Sequence, residues 1–101
     1  MTVQMSSSTM RAHLHTIRVR KEDSAFVYFV LESHEGITAY STLDFKAEDP
    51  YRDLQLMIPP DFIGEVRDLL AELALELEGN LYEFGDDGSI RSLRREGDHP
   101  S

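Results

Sequence analysis

Asp23-Ser24-Ala25-Phe26-Val27-Tyr28-Phe29-Val30-Leu31-Glu32-Ser33-His34-Glu35-Gly36 is the stretch on which the fold turns. Seven consecutive residues, Ala25 to Leu31, are apolar or aromatic, and by propensity alone they suit a buried strand. The borders point the other way. Asp23 or Ser24 can cap a helix N-terminus, and Gly36 stands where a left-handed C-terminal cap would fall. The span between them is also long for a strand, whose usual length is about 5–6 residues. The stretch reads as a helix.

Upstream of it, His13, His15, Ile17 and Val19 alternate with Leu14, Thr16, Arg18 and Arg20, the pattern of a half-buried strand. Downstream, Ile37, Ala39, Ser41 and Leu43 alternate with Thr38, Tyr40 and Thr42, giving a second strand. Asp44 to Asp53, with Asp49-Pro50, reads as a turn. Leu54, Leu56 and Ile58 form a third strand that Pro59-Pro60 must end, so the second and third strands make an antiparallel hairpin. A second helix follows. Phe62, Val66, Leu69, Leu70, Leu73 and Leu77 fall on one face, while Asp61, Glu65, Asp68, Glu72 and Glu76 fall on the other. Leu75 is the exception, placed beside Asp68 and Glu72. Glu78-Gly79-Asn80 supplies the stop, Leu81 to Phe84 a fourth strand, and Gly85-Asp86-Asp87-Gly88 a turn. Ile90 and Leu93 can extend a last hairpin.

The order strand–helix–strand, strand–helix–strand predicts an α+β fold. It is that of a ferredoxin-like βαββαβ sandwich, an antiparallel sheet with two helices on one face. The expected division is a flexible N-terminal segment over 1–12, a single domain over 13–93 and a flexible tail over 94–101.

The 101 residues suit one domain, and 41% hydrophobic with 29% charged residues is ordinary globular composition. The absence of cysteine excludes disulfides, thiolate zinc sites and cysteine nucleophiles. No apolar run approaches the ~20 residues that span a bilayer, so no membrane association is expected. Met1 to Met10 is Ser/Thr-rich without the apolar core of a secretory signal, which makes the cytoplasm the default location. The net charge of −9 is uneven: Arg11, Arg18, Arg20 and Lys21 lead, and the acids crowd the remainder. An acidic body repels phosphates, so nucleic acid is not an expected partner.

The first helix carries more apolar surface than one sheet covers. Phe26, Phe29, Val30 and Ser33 make one face, Val27 and Leu31 project well round from it, and Tyr28 projects further. Either the tails or the final hairpin cover this surplus or a second subunit does; the second subunit is the expectation, with Val27, Tyr28 and Leu31 as the interface residues of a homodimer.

Several side chains carry candidate chemistry. His13 and His15 point the same way from one strand and could share a metal ion with His34 or Glu35, although partly exposed strand histidines explain them equally. The second helix's carboxylates lie on a solvated face rather than in a catalytic pair. Ser6-Ser7-Ser8-Thr9 has no base at a useful spacing. Gly85 to Gly88 lacks both the phosphate-loop and the calcium-loop pattern. Arg18, Arg20 and Lys21, with Arg91, Arg94 and Arg95, could form an anion patch if the first and fourth strands are neighbours. Nothing here is a catalytic constellation, and no catalytic residue, metal or cofactor is assigned.

Two resemblances bear on these elements. Leu31-Glu32-Ser33-His34-Glu35-Gly36-Ile37, Thr42-Leu43-Asp44 and Ile58-Pro59-Pro60-Asp61-Phe62 resemble an uncharacterised bacterial family, domain of unknown function 4911, over about sixty residues. These motifs mark a helix stop, a strand end and a helix start, and the family brings no activity with it. The order of elements is also similar to the ACT domain, a dimeric ligand-sensing module. Its first strand-to-helix loop presents an acidic residue and a glycine to an amino acid. Here that loop is Arg20-Lys21-Glu22-Asp23-Ser24, where Asp23 matches the acidic position and the glycine has no counterpart. The resemblance implies a non-enzymatic, small-ligand-sensing regulatory module. Arg20, Lys21, Asp23 and Ser24 are its expected ligand-binding residues. The competing expectation is a protein-interaction module docking a partner through the first helix or the sheet face.

Overall fold

The computed structural model describes residues 12–34 and 36–93. The lead-in expected over 1–12 lies outside these residues apart from Ala12, and so does the tail expected from Arg94 onward. Among the described residues the chain forms β1 (His13–Arg20), α1 (Ser24–Ser33), β2 (Ala39–Thr42), β3 (Tyr51–Ile58), α2 (Ile63–Glu76), β4 (Leu81–Phe84) and β5 (Ile90–Ser92). Short 3-10 turns, Lys21–Asp23 and Pro60–Phe62, lead into the two helices. The fold is α+β, with one antiparallel sheet in the order β2-β3-β1-β4-β5. It holds five strands rather than four, because Ile90–Ser92 pairs with β4 beyond the Gly85–Gly88 turn.

Alternation decides which side of the sheet is sealed. Register places Ile17 opposite Leu54, His15 opposite Leu56 and His13 opposite Ile58, and it places Val19 opposite Leu81 of β4. Ile17, Val19, Leu54, Leu56 and Leu81 are fully buried on that side. They join Val27 and Leu31 of α1 and Val66, Leu69, Leu70, Leu73 and Ala74 of α2 in one core, so both helices cover the same face. The opposite face carries Leu14, Arg18, Tyr51, Asp53, Tyr82 and Phe84. Leu14 and Tyr51 are exposed there.

The helix reading of Ser24–Ser33 agrees with the structure, but its capping details do not. Asp23 occupies the N-cap without bonding the helix, because its carboxylate accepts from Arg20 Nε at 2.8 Å. Gly36 does not adopt the left-handed conformation. The helix ends through the His34 N–H donating to Leu31 O at 3.0 Å, and His34 O accepts in turn from Ile37 N. β3 also starts earlier than expected. Tyr51, Arg52 and Asp53 belong to the strand and not to the turn. Arg52 is buried there: its guanidinium donates to the carbonyls of Asp49 and Tyr51 and lies 3.7 Å over the Phe45 ring. A cation so placed is satisfied by carbonyl dipoles and ring electrons.

Helix α2 ends as Glu78-Gly79-Asn80 foretells, but with the strain on the wrong residue. Gly79 N donates to Ala74 O at 2.8 Å and Glu78 N to Leu75 O at 3.1 Å, the paired bonds of a Schellman ending. Glu78 takes φ 56° and Gly79 φ 85°. A left-handed non-glycine residue costs about 1–2 kcal/mol, and Gly79 carries no such cost. Glu78→Gly is therefore expected to stabilise the fold by about 0.5–1 kcal/mol once the added chain entropy is deducted, and Gly79→Ala to destabilise it by about 1 kcal/mol. Urea unfolding checks both, and a lower midpoint for Glu78→Gly would show that the left-handed residue is not strained.

Candidate functional site

The four residues of the strand-to-helix loop do come together, but they bind one another. Arg20 Nε donates to Asp23 Oδ2 at 2.8 Å and approaches Glu22 at 3.8 Å, and the ion pair with Asp23 raises the Arg20 guanidinium above its ordinary value. Ser24 Oγ donates to Lys21 O at 2.8 Å. Lys21 Nζ donates to Ala47 O at 3.0 Å, and its N–H donates to Pro50 O at 2.8 Å. These bonds tie the loop to itself and to the β2–β3 connection. The outer guanidinium nitrogens of Arg20 and the remaining protons of Lys21 Nζ stay outside these bonds.

The interface residues expected on α1 are corrected by the packing. Val27 and Leu31 lie in the core, at 0% and 1% exposure, Val30 packs partly against it, and Phe26 and Phe29 are turned outward. Phe29 is 68% exposed and Phe26 43%. The physical reason lies in size and reach. Val27 and Leu31, one turn apart, fit the close helix-to-sheet contact, while Tyr28 reaches sideways to the sheet edge. There its ring stacks on Tyr40 of β2, with centroids 5.5 Å apart and planes 9° from parallel. Tyr28 Oη accepts from Thr42 Oγ1 at 3.3 Å, and Tyr40 Oη donates to Glu32 Oε2 at 2.9 Å. Tyr28 is a structural clasp between α1 and β2.

What α1 offers outside is the Phe26 and Phe29 surface, and it does not stand alone. Phe26 and Val30 of α1, with Leu69 and Leu73 of α2, line an open groove of about 470 Å³ between the two helices. Leu75, 47% exposed, extends its apolar floor, and Glu72 and Glu76 rim one side. His34 closes one end, its Nδ1 held 2.9 Å from Val30 O. Leu75 was the one residue that the helical wheel set among acids, and the structure gives that anomaly a setting. Large apolar side chains exposed in a contiguous group are uncommon on a lone domain and mark contact surfaces.

The remaining candidates separate. Arg18 holds Asp53 through two bonds, at 2.7 and 3.0 Å, between the rings of Tyr51 and Phe84 on the open face. Arg91 instead holds Glu83, at 2.7 and 2.9 Å. β1 and β4 are neighbours, yet these two cations serve different carboxylates, and Arg94 and Arg95 lie outside the described residues. Among the described residues no group of three His, Asp or Glu side chains is placed to hold a metal ion. Glu35 lies outside them, and His34 belongs to the groove. Comparison of the chain with protein-family models, curated proteins and solved structures returns no match.

The clasp on α1 makes its own prediction. Burial pushes the Tyr40 phenol up to about 12, and donation to the Glu32 carboxylate adds to the rise. An acid whose folded value lies above its free value of about 10 favours the folded state while it is neutral. That contribution is complete below about pH 10 and is lost as pH rises towards 12. Ultraviolet titration of tyrosinate should therefore show one phenol ionising late, and Glu32→Gln should shift that phenol towards the free value. A titration in which Glu32→Gln moves no phenol would remove Glu32 from the clasp.

Proposed function

We propose that this chain is a non-enzymatic protein-interaction module whose docking site is the groove between α1 and α2. Its architecture is then a ferredoxin-like βαββαβ domain extended by β5, in the element order that is similar to the ACT domain. The observation that carries the reading is Phe26 and Leu75, large apolar side chains that line the groove and stay 43% and 47% exposed. The occupant that fits is an amphipathic helix with apolar anchors and Lys or Arg beside them. Apolar side chains from such a helix at i, i+3 and i+4 lie along a groove of this kind. Its cations meet Glu72 and Glu76 at the rim. Charge argues against a second copy of the chain, because two acidic α2 faces would be brought together in a molecule of net charge −9. The homodimer expected from the apolar surplus is thus the less favoured occupant.

A synthetic Leu/Lys amphipathic helix is the probe. Calorimetric titration should show saturable binding with a negative heat-capacity change, the mark of apolar burial. Phe26→Ser should weaken it by at least about tenfold, in the range of a lost aromatic anchor. Because Phe26 is partly covered, the variant should lose some stability yet stay folded, which urea unfolding and circular dichroism check. Glu72→Lys with Glu76→Lys should weaken the Leu/Lys helix and admit a Leu/Glu one. Equal binding by wild type and the Phe variant would sink the proposal. So would a stable dimer in light scattering that the Phe variant abolishes.

A further inference from the structure

A second surface lies elsewhere on the helix-covered side of the sheet. The first half of β1 is polar where the second half is apolar: His13 and His15 take the positions that Ile17 and Val19 take farther along. The core consequently stops short, and α2 and the sheet leave a cleft of about 110 Å³. Ile58, Val66 and Leu70, all nearly fully buried, stand at its apolar base. His13, His15, Arg67 and Glu83 supply its polar lining. A cleft of this volume has room for a small organic molecule.

The polar lining has a definite order. Arg91 grips Glu83 Oε2, at 2.7 Å from Nη2 and 2.9 Å from Nε. Glu83 Oε1 lies 3.1 Å from His15 Nε2, so the carboxylate sits between a guanidinium and an imidazole. Its negative charge is thereby answered within the protein, and its hold on Nε2 fixes the His15 ring. The His13 ring stacks along that of His15, with centroids 6.3 Å apart. Arg67, across the cleft on α2, makes no ion pair or side-chain hydrogen bond with the described residues. In a chain with nineteen acids against ten Lys and Arg, this cleft gathers two imidazoles and a guanidinium that pairs with none of the described residues around one neutralised carboxylate.

We infer that the cleft binds a small amphipathic carboxylate, its head on Arg67 and His13 and its short apolar tail over Val66 and Leu70. A guanidinium fork matches the two oxygens of a planar carboxylate. The apolar base adds affinity for a hydrocarbon tail, which a bare phosphate or sulfate cannot use. Glu83 acts as a positioning residue that presents His15 and does not itself meet the ligand. Neither the loop at Arg20–Ser24 nor the outer groove takes part, so this site stands or falls independently of the docking proposal.

The test is a titration of the full chain with unbranched carboxylates from acetate to hexanoate, followed through the imidazole proton resonances of His13 and His15. Saturable shifts of these two histidines, without a matching change at His34, are expected. Affinity should rise about fourfold for each added methylene until the cleft is filled, and then level off. Arg67→Gln, an exposed substitution that keeps helix propensity, should lower affinity at least about tenfold, and Arg67→Lys should recover only part of it. Circular dichroism and the urea midpoint confirm that each variant is folded. Leu70→Met, which alters the apolar base at nearly constant volume, should change the chain-length optimum and spare acetate. The inference is overturned if inorganic phosphate competes as well as pentanoate does, if affinity is indifferent to tail length, or if Arg67→Gln binds as tightly as wild type.

Discussion

The antiparallel register that sets Ile17 opposite Leu54 is the constraint from which the rest of the molecule follows. β1 is the central strand, paired with β3 on one side and β4 on the other, so its parity fixes the parity of the sheet. A slip of one residue would send Ile17 and Val19 to the open face and Arg18 beneath the helices. That alternative would part Arg18 from Asp53, which in the true register stands directly opposite and holds it through two bonds. The same register determines where the core stops. Beyond Ile17 the helix-side positions of β1 are His15 and His13, and no packing of α2 can make an apolar seal over two imidazoles. At the other end Val19 faces Arg52, whose charge is absorbed by two carbonyls and the Phe45 ring. One strand thus closes the core at one end with an unusual cation and leaves it open at the other.

Much of this is legible in the amino-acid sequence. Period-two alternation marks β1 because one of its faces is dry and the other wet, and the 3.6 period marks α2 because only a stripe of it is buried. Where both signals are strong, expectation and structure agree. α1 shows why the signal weakens. Seven apolar residues in a row have no preferred side, so periodicity identifies neither the element nor its orientation. The capping residues gave the element, although Asp23 turned out to serve Arg20 and Gly36 never became left-handed. The orientation depended on shape: Val27 and Leu31 fit against strands, Tyr28 finds a stacking partner on β2, and the two phenylalanines are left over. No one-dimensional pattern contains that information, since Tyr40 lies twelve residues from Tyr28 and meets it only through the β2–β3 pairing.

The candidate sites divide along the same line. Arg20, Lys21, Asp23 and Ser24 drew attention because unlike charges and hydroxyls cluster in a loop, yet proximity in sequence is also what lets them satisfy one another. Loop residues three apart can pair without any ligand, as Arg20 and Asp23 do. His13, His15, Arg67 and Glu83 are the opposite case. They come from β1, α2 and β4, and sequence shows only the His-x-His pair. The one available hint was that two histidines occupy positions whose successors on the strand are apolar. Leu75 gave a similar hint, as a leucine among acids on a helix otherwise sorted cleanly into faces.

α2 is a wall common to the two surfaces. Leu69 and Leu73 line the outer groove, while Val66, Arg67 and Leu70 line the cleft, so neighbouring positions on one helix face different spaces. Its charges are sorted likewise, with Glu72 and Glu76 at the groove and Arg67 at the cleft. The net charge of −9 therefore describes neither surface. A ligand that leaves α2 in place leaves the two sites independent, whatever its affinity. Coupling would require that α2 take two positions with different affinities at each site, because a ligand shifts an equilibrium only by its preference between states. The anchors of α2 oppose such movement. Five of its side chains are in the core, and the Schellman ending ties Glu78 and Gly79 back onto its last turn. A helix held at that many points favours fixed walls, and so two surfaces that are read separately.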